Sequence, residues 1–282
     1  MRNRTIGLYL LACVSLGLTA CGGGDSSQKP AAATTSTAKP TVSTASPAPA
    51  KTGVQEIGDI FNAWNKLYKA NEKVINGYEG MPIMELVTPG ATFIGSIQYD
   101  MLNLEKKNGR FEGTLPLAGY QGFVERNGSK ITFGSDRKLE KDGFGQLSKT
   151  GDRKVENGSV NLDQKYYIAE NFTERAGKKI AREYDEFKML GDGSMVCLVL
   201  NGTALNARGA EEIIDSVIYL HNGKDQYDFV LAKGKAGPEF KIISFADMGD
   251  LAKDKAIELF KASGYTIDKT GGIKDGKLVV DK

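Results

Sequence analysis

An alternation of apolar and polar residues with a period of two dominates residues 91–246, and it limits the possible folds more than any other feature. Phe93, Ile97, Tyr99 and Met101 follow it at the start of this stretch. Because successive side chains of a strand point to opposite faces, the pattern predicts strands with one solvated face. Residues that tolerate positive φ recur in and around it, as Asn-Gly at 76, 108, 127, 157, 201 and 222 and Asp-Gly at 142, 192 and 275. The sequence therefore predicts an antiparallel meander of long strands.

Individual segments predict particular elements. Residues 195–200 are continuously apolar, which indicates a central strand covered on both faces. Residues 217–231 show a complete hairpin pattern around Asn222-Gly223, and residues 210–215 indicate a short helix. Further short strands are predicted at 240–245, 265–267 and 278–280, the last two on either side of a Lys269-Thr-Gly-Gly loop.

Helical periodicity flanks the meander on both sides. A capping-box pattern at Thr52 and Gln55 opens an amphipathic helix that ends at Asn76, and a second helix runs from Asp247 or Asp250 to about residue 263. We therefore predict an α+β fold, in which an N-terminal amphipathic helix and a C-terminal helix pack on a curled antiparallel β-meander.

The apolar stripe of the first helix carries the candidate ligand-binding residues, Phe61, Trp64 and Tyr68. Such a stripe belongs to a hydrophobic core more often than to a ligand site. If the helix covered a concave sheet as a lid, however, these side chains would contact an apolar ligand.

The N-terminus carries a secretion signal. Arg2 and Arg4 form a basic start, and the apolar run at residues 6–18 is too short to span a membrane. The sequence predicts a signal peptide at 1–20 and a disordered tether at 21–53, rich in Gly, Ala, Thr, Ser and Pro. A single globular domain is predicted at 54–282.

The end of the signal, Leu18-Thr19-Ala20-Cys21, resembles the lipobox of bacterial lipoproteins. The resemblance implies cleavage before Cys21, palmitate or another acyl chain on this residue, and three chains that anchor the protein to a membrane in the cell envelope. Gly22 follows the anchor instead of the Asp that retains enterobacterial lipoproteins in the inner membrane, so in a Gram-negative cell the resemblance implies the outer membrane, facing the periplasm or the surface. Cys13 fits the lipobox loosely but leaves too short an apolar region.

Composition narrows the possible chemistry. From Cys21 onward the chain has 35 residues of each charge, so no global field attracts nucleic acid. One His and three Cys exclude most zinc sites and His-dependent triads. We expect no cofactor, no metal and no catalytic residue.

Several residues of types that can act in catalysis or bind metals have a simpler, structural interpretation. Ser135-x-x-Lys138 and Lys149-Thr150-Gly151 match β-lactamase motifs, but both lie in turn-rich sequence. His221 is expected to be a solvated turn or strand-end residue, and Cys197 is expected to be a buried, unreactive thiol. The acidic group Glu183, Asp185 and Glu186 would divide between the two faces of a strand.

Three classes of function follow from the sequence. We expect a membrane-anchored, non-enzymatic protein that binds a protein or another envelope component. The alternative is a carrier of lipid or another apolar ligand, because helix-then-meander order behind a lipobox is similar to the periplasmic lipoprotein-carrier fold. A hydrolase is the third class.

Overall fold

The computed structural model describes residues 53–76, 109–114, 120–142, 148–206, 209–224 and 226–281. The chain divides into two units, Met1–Ala50 and Lys51–Lys282, and the described residues belong to the second. This described part contains three α-helices, α1 (Gly53–Asn76), α2 (Phe245–Met248) and α3 (Lys253–Ala262), and a 3₁₀ turn at Gly237–Glu239. Its eleven strands are β1 (Gly109–Thr114), β2 (Gln121–Asn127), β3 (Lys130–Lys138), β4 (Arg153–Asn161), β5 (Tyr166–Arg175), β6 (Lys178–Met189), β7 (Met195–Leu205), β8 (Glu211–Asn222), β9 (Tyr227–Gly234), β10 (Thr266–Lys274) and β11 (Lys277–Val280).

All eleven strands form one sheet. Their order in the sheet is their order along the chain, and every neighbouring pair is antiparallel. The predicted α+β class is wrong, because a single large antiparallel sheet makes up most of the described chain and the helices are few. α2 and α3 have only 4 and 10 residues, which is too little to form a helical layer over eleven strands.

Tertiary pairing explains where the local predictions fail. Residues 211–214 were expected to be helical but extend β8, because they pair with the end of β7. Residues 240–244 were expected to form a strand but are irregular, and α2 begins at Phe245. Their apolar side chains Phe240 and Ile243 are buried, so the apolar pattern reflects packing onto the sheet. The expected loop at Lys269-Thr-Gly-Gly lies within β10, which pairs with β9 and β11.

Two Asn-Gly pairs expected to form turns lie within strands, and each glycine is required by a close contact. A Cβ on Gly158 would lie 2.2 Å from the Phe133 ring, which covers this glycine from the neighbouring strand. A Cβ on Gly202 would lie 2.1 Å from the carbonyl oxygen of Gly237. At these two positions glycine is therefore required because a neighbouring group occupies the space that a Cβ would fill, which is a common reason for glycine inside a strand.

The sheet has two faces with separate hydrophobic cores. The α1 face carries the first core, together with Ile60 of α1. Its strand residues are Val124, Ile131, Phe133, Val160, Leu162, Tyr167, Ala169, Phe187, Met195, Cys197, Val199, Ile218, Leu220, Tyr227, Phe229 and Leu231. The opposite face, which we call the covered face, packs against the C-terminal segment 237–265. β7 lies between both cores, and the residues predicted as a doubly covered strand, 195–200, are all buried, which confirms that prediction.

Helix α1 crosses one end of the sheet, where the β2–β3, β4–β5, β6–β7 and β8–β9 turns lie. Near its start, Glu56 forms an ion pair of 3.1 Å with Arg126 at the end of β2. Towards its end, the Asn71 amide donates to Asn222 Oδ1 at 2.6 Å, at the end of β8. α1 therefore packs across the strands at this end, and the other end of the α1 face lies away from these contacts.

Polar contacts fix the C-terminal segment to the covered face. The Phe245 N–H donates to Glu186 at 2.7 Å, and the N–H groups of Ala236 and Gly237 donate to Asp215 at 2.6 and 3.0 Å. Arg182 donates to the Phe240 carbonyl at 3.0 Å. Because these anchors are buried or half-buried, the segment is an integral part of the domain. No helix in the described ranges is long and apolar enough to cross a membrane.

Candidate functional site

The site residues predicted from the sequence have side chains outside the described part of the chain. Cys21 lies outside the described residues. Phe61, Trp64 and Tyr68 belong to α1, but their side chains are also outside the described part.

The space beneath α1 is almost filled. A cavity of about 10 Å³ remains there, and it is lined by Ile60, Val160, Lys165, Tyr166, Tyr167, Phe187 and Met195. A cavity of this size holds at most one water molecule. An acyl chain could therefore enter at this position only if α1 moved.

A serine and a histidine meet at the turn between β6 and β7. Ser194 Oγ lies 3.0 Å from His221 Nε2. His221 lies at the end of β8, one of its two expected places, but it is buried and not solvated as expected. Burial lowers the pKa of His221. The Ser194 hydroxyl donates to Asp192 at 2.6 Å, and its N–H donates to the same oxygen at 2.9 Å. In a catalytic triad the carboxylate instead binds the second imidazole nitrogen, so these three residues stabilise a turn.

The β-lactamase-like motif also has a structural role. Ser135 and Lys138 lie on strand β3, whereas that motif requires a helix start. Ser135 Oγ donates to Glu156 at 2.9 Å and accepts from Arg137 at 2.8 Å. The hydroxyl is therefore held by an ion pair, and the Glu156 carboxylate beside it is a weak base, because Arg137 and Lys154 also bind it.

The acidic group at 183–186 divides between the faces as predicted from the alternation. Asp185 is buried near the α1-face core, and Glu186 is buried on the covered face, where the hydroxyls of Tyr166 and Tyr184 donate to it. Burial raises the pKa of Glu186, although these donors oppose the shift. Clusters of His, Cys, Asp or Glu that could hold a metal ion do not occur in the described part of the chain.

A continuous row of polar residues crosses the α1 face at the end away from α1. Each residue is directly paired with the next one on the neighbouring strand, from β3 to β9. Alternation places all of them on the same face as the first core. This polar row consists of Ser135, Glu156, Asn171, Glu183, Asn201, Ser216 and Lys233.

The polar row is open in its middle. Asn171, Glu183, Asn201 and Ser216 are half-buried, and Lys233 is exposed. In the described structure no hydrogen bond engages the side chains of Asn171, Asn201 or Ser216, whereas most polar groups near a core are satisfied. These two amides and one hydroxyl are half-buried and reach solvent.

The first end of the row is a closed ion-pair network. Glu156 accepts from the hydroxyl of Tyr120 at 2.5 Å, from Arg137 at 2.6 Å and from Lys154 at 2.9 Å. Burial would raise the pKa of Glu156, but the charge of Lys154 and the hydrogen bonds from Arg137, Lys154 and Tyr120 outweigh it and lower the pKa to about 2. The Arg137 guanidinium also lies 3.2 Å from the centre of the Tyr120 ring. The network is self-satisfied and rigid, so it forms a fixed boundary.

A buried carboxyl lies directly behind the open part of the row. Asp185 is 1% exposed, and its Oδ1 atom has no hydrogen-bond partner in the described structure. Burial and the neighbouring Glu183 raise its pKa well above the ordinary value.

No protein-family model, curated protein or solved structure matches the chain. The similarity to the lipoprotein-carrier fold stays a prediction from the order of elements.

The sequence alone did not predict the polar row as a unit. Ser135 and Glu183 were noticed only as parts of other motifs, and Asn201 was assigned to a turn. A local signal exists, because Asn201 continues the inward series Met195, Cys197, Val199 with a polar side chain. The alignment of seven strands, however, depends on pairing register, which no single segment contains.

Proposed function

We propose that the protein is a lipid-anchored bacterial envelope protein that binds an envelope component on the polar row and catalyses no reaction. The observation that carries this proposal is the set of half-buried polar side chains without partners in the middle of the row. The polar atoms of these side chains are not among the buried unsatisfied ones, so they reach solvent and are available to a partner that replaces water.

The lipobox supports the proposed lipid anchor, and the predicted tether supports binding at a distance from the membrane. The composition of residues 22–53 predicts a tether. A flexible coil of this length would have a root-mean-square reach of roughly 30 Å, enough to reach partners beyond the lipid surface. Neither hydrolase-like arrangement, Ser194 with His221 or Ser135 with Lys138, has the geometry for nucleophilic catalysis.

The anchor is tested by metabolic labelling with palmitate. Wild-type protein is expected to incorporate the label and to fractionate with membranes. Cys21→Ala is expected to lose the label, and Cys13→Ala is expected to keep it. If only Cys13→Ala lost the label, the acyl chains would be on Cys13 and the assignment to Cys21 would be wrong.

The binding face is tested by photo-cross-linking of the full-length protein in cells. A photoreactive residue at position 201 probes the row, and the same residue at Asn157 is the control, because Asn157 lies in a strand of the same sheet on the opposite face. Adducts are expected at 201 and not at 157. Equal adducts at both positions, or none at 201, would contradict the proposal.

A further inference from the structure

The chemistry of the polar row indicates the class of its partner. The Asn171 and Asn201 amides each offer both donors and an acceptor, and the Ser216 hydroxyl offers both as well. Arg137 and Lys154 pair with Glu156, and Lys233 pairs with Asp268 at 3.0 Å. Both ends of the row are thus neutralised, and amides and a hydroxyl flank Glu183 in its open part. Such a surface favours an uncharged partner that is rich in hydroxyl and amide groups.

The spacing of the row indicates the repeat of this partner. Neighbouring strands lie about 4.8 Å apart, so the open part from Asn171 to Lys233 spans about 19 Å in four steps. An extended peptide presents side chains to one side only every 6.6–6.8 Å, roughly two residues of a strand, and does not match this step. The length of one unit of a linear β-linked pyranose chain matches this step.

The two amides match a second feature of such a chain. Successive β-1,4-linked sugars are rotated by about half a turn, so a given substituent returns to the same side every second unit. Asn171 and Asn201 are also two steps apart, with Glu183 between them. Each asparagine can therefore pair with an acetamido group on the same side of the chain, since two amides exchange complementary hydrogen bonds.

Two further residues frame the path of a chain along the row. Ile214 is 47% exposed and lies on the same face as Ser216, two residues along β8, so it offers an apolar surface beside the polar one. At the other end, the closed network around Glu156 limits the path. Asp185 lies two residues along β6 from Glu183 on the same face, and its buried Oδ1 atom has no hydrogen-bond partner in the described structure.

We propose that the polar row binds a linear β-1,4-linked N-acetylated amino-sugar glycan, of the kind that forms the glycan strands of the cell wall, with the chain running across the strands. This inference rests on the proposed function and names its partner. The tether, whose reach is roughly 30 Å, allows a membrane-anchored domain to reach such a polymer.

The first experiment measures length dependence. β-1,4-linked N-acetylglucosamine oligomers of two to seven units are titrated into the purified full-length protein in detergent by calorimetry. The Kd is expected to fall by about tenfold or more from the dimer to the pentamer, and by less than about twofold beyond it, because the open part has five positions. Oligomers of β-1,4-linked glucose, which lack the acetamido group, are expected to bind about tenfold more weakly.

Variants assign the binding to the row. Asn171→Ala and Asn201→Ala are each expected to weaken pentamer binding about fivefold, as is usual for the loss of a hydrogen bond. Asn157→Ala is the matched control on the opposite face and is expected to bind as the wild type does. The melting temperature is expected to change by less than about 2 °C in all three, because none of these side chains has a hydrogen-bond partner in the described structure.

The salt dependence of binding distinguishes an uncharged glycan from a charged polymer. Binding of an uncharged glycan is expected to stay constant between low and high salt, whereas binding to a polyanion weakens as salt screens the charges. Affinity only for charged polymers, or equal affinity for glucose and N-acetylglucosamine oligomers, would overturn the glycan assignment.

Different results would contradict the glycan assignment and the proposed function. If no oligomer binds but cross-links at position 201 persist, the row binds another envelope component. If cross-links at 201 are also absent, the row is not a binding face and both proposals are wrong.

Discussion

Replacing Glu156 by glutamine tests the electrostatics at the closed end of the polar row. The substitution keeps the size of the side chain but removes the charge that pairs with Arg137 and Lys154. The side chain is 7% exposed, so solvent screens these interactions little. We expect Glu156→Gln to destabilise the fold at neutral pH, and to do so less as the pH falls.

The magnitude follows from the pKa of Glu156, which is lowered from 4.5 to about 2 in the folded protein. A shift of this size corresponds to about 3 kcal/mol of unfolding free energy when the carboxyl is ionised. Because the folded-state pKa is the lower one, this stabilisation is fully present above pH 4.5 and disappears as the pH falls towards 2. At pH 3 about 1.5 kcal/mol of it should remain.

Urea unfolding of wild type and Glu156→Gln at pH 7 and at pH 3 measures this difference directly. Comparing the two proteins at each pH cancels other titrating groups, such as Asp185 and Glu186, whose raised pKa values act in the opposite direction. Glu174→Gln is the control, because its partner Arg153 is exposed and exposed ion pairs contribute little. A difference that is independent of pH, or equal to that of the control, would refute the reasoning.

Three other predictions follow from packing. Gly158→Ala is expected to cost about 1–3 kcal/mol in thermal unfolding, because the new methyl group meets the Phe133 ring; Gly191→Ala, which meets nothing within 4 Å, is the control, and equal costs would contradict the steric account. Emission from Trp64, the only tryptophan, is expected to stay unchanged on titration with phospholipid, because the cavity beneath α1 holds at most one water; a saturable shift would support the carrier alternative. The thiol of Cys197, which is 1% exposed, is expected to react with thiol reagents only at the rate of unfolding, and rapid reaction in the native state would show that its core opens.

The sequence predicts the strands of this fold better than its class. Alternation and turn residues predicted the meander, and the apolar run at 195–200 predicted a strand covered on both faces, which the structure confirms. The α+β class was wrong because local patterns do not show tertiary pairing: residues 211–214, expected to be helical, extend β8. The C-terminal helical pattern gives only two short helices of 4 and 10 residues.

The polar row could not be predicted from local patterns. Asn157-Gly158 and Asn201-Gly202 were both expected to form turns, but the contacts that require these glycines come from Phe133 and Gly237, which are distant in sequence. Direct pairing of Asn171, Glu183 and Asn201 depends on the register of three strands. A shift of one residue in any pair would place the side chain on the opposite face.

The side-chain amide signals of Asn171 and Asn201 in nuclear magnetic resonance spectra test the central claim most directly. These signals are assigned by their loss in Asn171→Ala and Asn201→Ala, and Asn157 provides the reference on the opposite face. Addition of the N-acetylglucosamine pentamer is expected to shift both signals in a saturable manner and to leave the Asn157 signal in place. Unchanged signals from Asn171 and Asn201 at saturating pentamer, or equal shifts at Asn157, would contradict the assignment of the polar row as a glycan-binding face.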